Sequence, residues 1–234
     1  MFIQIKNFVK QKPTLLRFTL HPIAFIIKWL YGAYLTIRFV DHYQNFPAIK
    51  FRKLILVHIK KDRGSKLLIN NRLIIEPWQG GIAPSSITIE RNAELIIHGL
   101  FTVGDDVRIS LAPLAKLVLH GTNISSGSGI TCKSVILVNK HVEIGKDTII
   151  AWDTFITDCD WHPINGKLKV SPTIIGDHVW IGVGCKILKG ALIGQDSIIA
   201  PQSVVLAGKY PEKILLAGIP AKVTKTSIDM WGRD

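Results

Sequence analysis

The 234 residues fit one domain, or one domain with an appendage, and are enough to bury a sizeable core. Three cysteines, Cys132, Cys159 and Cys185, are an odd number without CxxC spacing, which argues against a disulfide framework and for a reduced compartment. The formal net charge of +12 lies wholly in residues 1–75, which hold 14 Lys/Arg against 2 Asp/Glu; with no recognised nucleic-acid module and few aromatics among those cations, it does not indicate nucleic-acid binding.

Residues 1–66 form a basic, apolar N-terminal segment. Its centre, HPIAFIIKWLYGAYLTIRFV from His21 to Val40, carries Lys28, Gly32 and Arg38 and is a poor spanning helix, since a span needs about 20 predominantly apolar residues. No small-residue cleavage site of a secretory signal comes after it. The stretch reads as a helix that either caps the first turn of the downstream chain or lies in a membrane interface. Lys6, Lys10, Lys12 and Arg17 before it, and Lys50, Arg52, Lys53, Lys60, Lys61 and Arg63 after it, suit an anionic leaflet, where each cation contributes about 1 kcal/mol. The expected location is cytoplasmic, with peripheral contact at the inner membrane face.

Residues 67–121 contain short alternating runs. Leu95 and Ile97 before His98-Gly99 are echoed by Leu117 and Leu119 before His120-Gly121, a repeat of 22 residues that predicts the early turns of a solenoid. The SSGSG of Ser125–Gly129 has no Lys or helical pattern behind it and reads as a tight corner rather than a phosphate loop.

From Val138 the period becomes six. Val138, Ile144, Ile150 and Ile156 are followed, after a break, by Ile175, Ile181, Ile187, Ile193, Ile199 and Val205. The next position is mostly small (Gly176, Gly182, Gly194, Ala200), and so is the fifth (Cys185, Ala191, Ser197, Ser203). An aliphatic recurring every six residues means that a bend of backbone recurs every six, with the aliphatics stacked as ladders in one continuous core. The interval from Ile156 to Ile175 is not a multiple of six, and TDCDWHPINGKLKVSP within it is polar and rich in turn residues. A loop, 157–173, therefore leaves the coils, and it holds Asp158, Asp160 and His162.

These hexads, the phrase VWIGVGCKILKGALIGQDSIIAPQSVV and the later AGIPAKV resemble the hexapeptide-repeat acyltransferases, most specifically over Val138–Lys225. The resemblance implies an all-β fold, a left-handed parallel β-helix over 67–225, with 226–234 as a C-terminal tail; the handedness comes from the resemblance and not from the period. It also implies a homotrimer with sites between chains, and acetyl-coenzyme A as cosubstrate with no metal. In members that O-acetylate sugars the catalytic histidine lies in an HP-containing loop just before the IG-x-x-VWIG segment, which assigns His162, with Asp160 or Asp158 as its orienting carboxylate. Coenzyme contacts carry over to Trp180, Gly182, Val183, Gly184, Ala200, Pro201 and Gly218, and the nucleotide phosphates to Lys222 and Lys225.

The chemistry agrees with that assignment. Moving an acyl group from a thioester to a hydroxyl needs a base that accepts the hydroxyl proton, and imidazole suits this near neutral pH. No activated nucleophile accompanies His162 apart from nearby Cys159, so direct attack in a ternary complex is expected. The expected acceptor is a sugar, a nucleotide sugar or a lipid-linked glycan of the surface-polysaccharide kind. Rival readings are N-acylation of an amino sugar, a zinc hydratase of the γ-carbonic-anhydrase type using His141, His162 and His178, and a purely structural solenoid.

Overall fold

The computed structural model describes residues 13–123, 127–163, 165–166, 169–228 and 231–232. Lys6, Lys10 and Lys12 and part of the SSGSG corner lie outside these residues.

Extended backbone points successive side chains to opposite faces, so a two-residue strand such as Trp180–Ile181 turns its isoleucine inward and its tryptophan outward. Small residues at the bends then let the chain turn and start the next face. Three faces close a coil of 18 residues in the regular part: Ile175 stacks in register on Ile193, Ile181 on Ile199 and Ile187 on Val205. All six are at most 3% exposed. The result is a left-handed parallel β-helix of three sheets. Among the described residues, sheet 1 has eight strands from His42–Tyr43 to Gly208–Tyr210, and sheet 3 has seven between Val57–Lys61 and Val204–Val205. Sheet 2 has nine, starting at Ile49–Phe51, and is closed by an antiparallel pair, Ile214–Gly218 and Ala221–Thr226.

The coils begin earlier than residue 67. The first occupies 42–61, with all three sheets represented, so the expected boundary at 66 falls after one full turn. Coils two to seven lie at 66–89, 94–111, 116–138, 141–157, 173–187 and 191–205, and 208–218 begins an eighth. The 22-residue repeat appears as register: Leu95 pairs with Leu117 and Ile97 with Leu119.

Helix α1 (Pro13–Phe39) lies across the open end of the first coil. Contact is close enough to require a glycine: a Cβ on Gly32 would sit 2.3 Å from the Ile49 carbonyl oxygen. One turn on, Thr36 Oγ1 donates to the Gly32 carbonyl (2.7 Å) and accepts from the Ile49 N–H (3.1 Å), satisfying an edge donor of sheet 2. Leu35 and Val40 join the core. The opposite side of α1 is apolar and uncovered: Ile23, Ile26, Ile27, Leu30, Tyr34 and Ile37 are 46–72% exposed.

On the outer face of sheet 1, equivalent turn residues stack into a polar ladder. Asn70 Nδ2 donates to His98 Nδ1 (3.0 Å), His98 and His120 stack at 5.2 Å, and His120 Nε2 donates to Glu143 Oε1 (2.7 Å). Burial, then the neighbouring His120, holds His98 below its ordinary pKa of 6.5. The hydrogen bond from His120 holds Glu143 below 4.5, against an opposing effect of burial. Both groups take up a proton more readily when unfolded, so both contribute stability that is lost on acidification, His98 as pH falls below 6.5 and Glu143 below 4.5. Thermal melts between pH 7 and 5 should therefore show a shallower decline for His98→Gln than for the parent chain; equal slopes would remove His98 from the pH dependence.

Candidate active site

The break in the hexads is a small hairpin on the edge between sheets 3 and 1. Cys159 bridges Val170, the Asp160 N–H donates to the Lys169 carbonyl (2.9 Å), and the Ser171 N–H donates to the Asp158 carbonyl (3.0 Å). The turn residues the sequence supplies, Asn165 and Gly166, take left-handed backbone angles at its tip (φ 48° and 71°).

Two carboxylates clamp this hairpin. Asp158 is fully buried and accepts three backbone N–H groups, from Asn139 (2.7 Å), Lys140 (2.7 Å) and His141 (2.6 Å). A buried carboxylate so occupied is a fastener for the corner below. Asp160 pairs with Lys189, in the corner above. Neither reaches the His162 imidazole, which is exposed and, among the described residues, makes no hydrogen bond. The expected aspartate–histidine dyad is thus not formed within one chain, because both acids are engaged in holding the hairpin. Cys159 is buried, and its Sγ accepts from the Trp161 N–H (3.1 Å).

Of the residues expected to hold the coenzyme, Gly182, Val183, Gly184, Ala200 and Pro201 lie together on a different edge, and Trp180 lies apart from them. Gly182, Val183 and Gly184 form the bend between sheets 2 and 3 in the sixth coil; Ala200 and Pro201 occupy the same bend one coil on, and Gly218 stands beyond them. The bends interlock: the Gly182 N–H donates to Ile199 O (2.9 Å), Ala200 N–H to Leu216 O (2.8 Å) and Gln202 N–H to Val183 O (2.8 Å). Gly218 is exposed, and a Cβ there would meet only Pro220 O, at 3.4 Å, so that stretch of backbone is open to a ligand. Lys222 and Lys225 are exposed on the last strand. Within one chain, sheet 3 separates this row from His162, a width of roughly 20 Å for six residues at about 3.3 Å each.

Trp180 projects from sheet 2, 40% exposed. It stands 6.1 Å from Trp231, which stacks flat on His178 (4.2 Å, 4°) and donates from Nε1 to the His178 carbonyl (2.9 Å). His178 lies between Asp196 (Nδ1–Oδ1, 3.0 Å) and Asp147 (Nε2–Oδ2, 3.7 Å), all three at left-handed corner positions of successive coils. Sequence reasoning misses Trp231, which lies beyond the repeats, and Lys189, whose hexad corner carries no sign that it faces the hairpin. His178 occupies a different edge from His141 and His162, and among the described residues no group of three or more His, Cys, Asp or Glu is arranged to hold a metal ion.

Comparison with known proteins agrees with this architecture. The family description "Bacterial transferase hexapeptide (six repeats)" matches residues 172–207. The chain is 32% identical over 155 residues to a putative acetyltransferase, C18B11.09c of Schizosaccharomyces pombe, covering 60% of this chain and 70% of that protein. The chain belongs to the hexapeptide-repeat acetyltransferases. The chain is also similar to the putative lipopolysaccharide biosynthesis O-acetyl transferase WbbJ of Escherichia coli, 36% identical over 100 residues (37% of this chain, 50% of that one). The galactoside O-acetyltransferase of the same organism is 28% identical over 145 residues (58% and 69%). The chain spans about half the length of several of the relatives it matches.

Proposed function

We propose that this chain transfers an acetyl group from acetyl-coenzyme A to a hydroxyl of a sugar or glycan precursor, with His162 as the general base. The observation that carries the reading is His162 itself: an exposed imidazole at the tip of a hairpin that two carboxylates fasten to the coils above and below. The relatives named for O-acetyl transfer to a galactoside and in lipopolysaccharide biosynthesis support a sugar hydroxyl as acceptor.

Acetyl-coenzyme A supplies the activated acyl carbon. The open backbone at Gly218, the small residues at Val183, Gly184 and Ala200, and the cations Lys222 and Lys225 suit a long, narrow donor ending in phosphates. His162 accepts the acceptor hydroxyl's proton as the C–O bond forms and returns it to the departing thiolate. Because His162 and this row lie on different edges, the site is completed between copies: the hairpin of one chain reaches the row of the next, in the trimer that the family resemblance implies. The group that orients the His162 ring then comes from the neighbouring copy, or from Asp160 once Lys189 lets it go.

His162→Ala should lower turnover about 10²–10⁴-fold while coenzyme A binding, followed by calorimetry, stays within a factor of two or so. Turnover near that of the parent chain would remove His162 from the mechanism.

The exposed apolar side of α1 supports a place for this activity at a membrane surface. No helix of the described residues is long and apolar enough to cross a bilayer. The row from Ile23 to Ile37 can instead lie in the interface, with the exposed cation Lys60 meeting anionic headgroups. Since α1 also covers the first coil, truncation would confuse folding with attachment, whereas Ile26→Glu with Leu30→Glu changes only exposed positions. That variant should keep its thermal melt and lose sedimentation with anionic vesicles. Unchanged sedimentation, or a parent chain that ignores such vesicles and instead loses oligomer mass in the variant, would make the stripe a contact between copies.

A further inference from the structure

One excursion from the coils is not used by the donor row or the hairpin. Residues 76–84, PWQGGIAP after Glu76, loop out between Arg72–Ile75 of sheet 2 and Ser85–Ile89 of sheet 3, where the next coil crosses the same edge with Asp106 and Val107 alone. The loop is pinned to neighbouring coils. Asp105, 6% exposed, accepts from the Trp78 N–H (2.9 Å), and a Cβ on Gly81 would lie 2.0–2.2 Å from the same carboxylate, so the chain can close over Asp105 only with glycine there. Arg52 ties the base of the loop to the first coil through Glu76 (3.3 Å). The outcome is an indole, Trp78, held 44% exposed on a fixed support, which core packing does not require.

Beneath the loop is a cavity of about 500 Å³ on the outer face of sheet 2. Trp78 and Gln79 of the loop line it, together with Thr102, Thr131 and Ile149 of sheet 2. Its lining runs from the first coil to the fifth, four strand spacings of about 4.8 Å, or roughly 19 Å. The lower end carries two cations, Arg52 and Lys53, against one carboxylate, Glu76, which pairs with Arg52, and it adjoins α1: Lys28 Nζ donates to the Arg52 carbonyl (3.1 Å). The upper end, at Ile149, is level with the coil from which the His162 hairpin departs.

We propose that this trough binds an extended glycan bearing a phosphate at its reducing end, with the phosphate at Arg52 and Lys53, one pyranose ring against Trp78, and the far end at the level of His162 of a neighbouring copy. An aromatic face, flanking amide and hydroxyl groups and a cationic end match a polar ring carrying one anionic terminus. The proposal rests on the acetyl-transfer reading only for what happens at the far end; the binding stands apart from it and can be measured without turnover.

The test is calorimetry on the full chain with a tetrasaccharide 1-phosphate, the same tetrasaccharide without phosphate, and the 1-phosphate linked to a prenyl tail in vesicles. The phosphorylated glycan should bind at least about tenfold more tightly than the unphosphorylated one. Lys53→Ala should narrow that difference, Trp78→Ala should weaken both glycans about tenfold, and Trp78→Tyr should restore most of the loss. Tighter binding of the prenyl form assigns the phosphate to a lipid carrier, and equal binding to a water-soluble sugar phosphate. Equal affinity for the two free glycans, or a Trp78→Ala chain of unchanged melting temperature that binds both as the parent does, would overturn the proposal. Loss of transfer in His162→Ala with glycan binding intact leaves it standing.

Discussion

The burial of one inward aliphatic per face is the constraint on which the rest of this structure depends. A single coil cannot remove its three aliphatics from water, so stability accrues only as coils stack and each inward side chain finds partners above and below. Every residue between two aliphatics is then fixed in azimuth: outward on a face, or at one of three edges. Function in such a chain is written in position modulo the coil.

That geometry is the ground for the proposal that the site is divided between copies. On the edge between sheets 2 and 3 the bends at Gly182 and Ala200 pack coil on coil, and beyond them the backbone at Gly218 is open. The one late insertion that breaks the count emerges at the edge between sheets 3 and 1, carrying His162. A rigid prism cannot bring two edges together, and a neighbouring copy can. In the proposed reading the clamp on the hairpin has a purpose, since a base offered to another chain would have to be held by its own. Asp158 and Asp160 do that holding, from below and above. The trough under the 76–84 loop and the apolar side of α1 lie toward the other end of the prism, so membrane, glycan and thioester would be met in succession along one axis.

Much of the fold is legible in the sequence because the physical period is also the sequence period. The row Ile175 to Val205 and the echo of His98-Gly99 in His120-Gly121 announce coils, and the irregular interval before Ile175 announces the hairpin. What does not repeat is not legible. The first coil, 42–61, is hidden within the basic N-terminal segment because its strands are short and interrupted by Pro47 and by cations. The engagement of Asp158 with the 139–141 corner and of Asp160 with Lys189 depends on which coils become neighbours once the hairpin is inserted. Trp231 lies 53 residues from the His178 carbonyl it bonds, a distance no local pattern encodes. The 76–84 loop does carry a signal, a Pro- and Gly-dense break in strand alternation, but no reactive side chain accompanies it to mark it as more than a bend.

The division of the site between copies is tested most directly by mixing two inactive chains, His162→Ala and a donor-row variant such as Ala200→Trp, under separate affinity tags and isolating the assemblies that contain both. In such an assembly one interface pairs an intact hairpin with an intact row, and acetyl transfer should rise well above that of either parent. Doubly tagged assemblies as inactive as their parents would contradict the account and return the donor and His162 to a single chain.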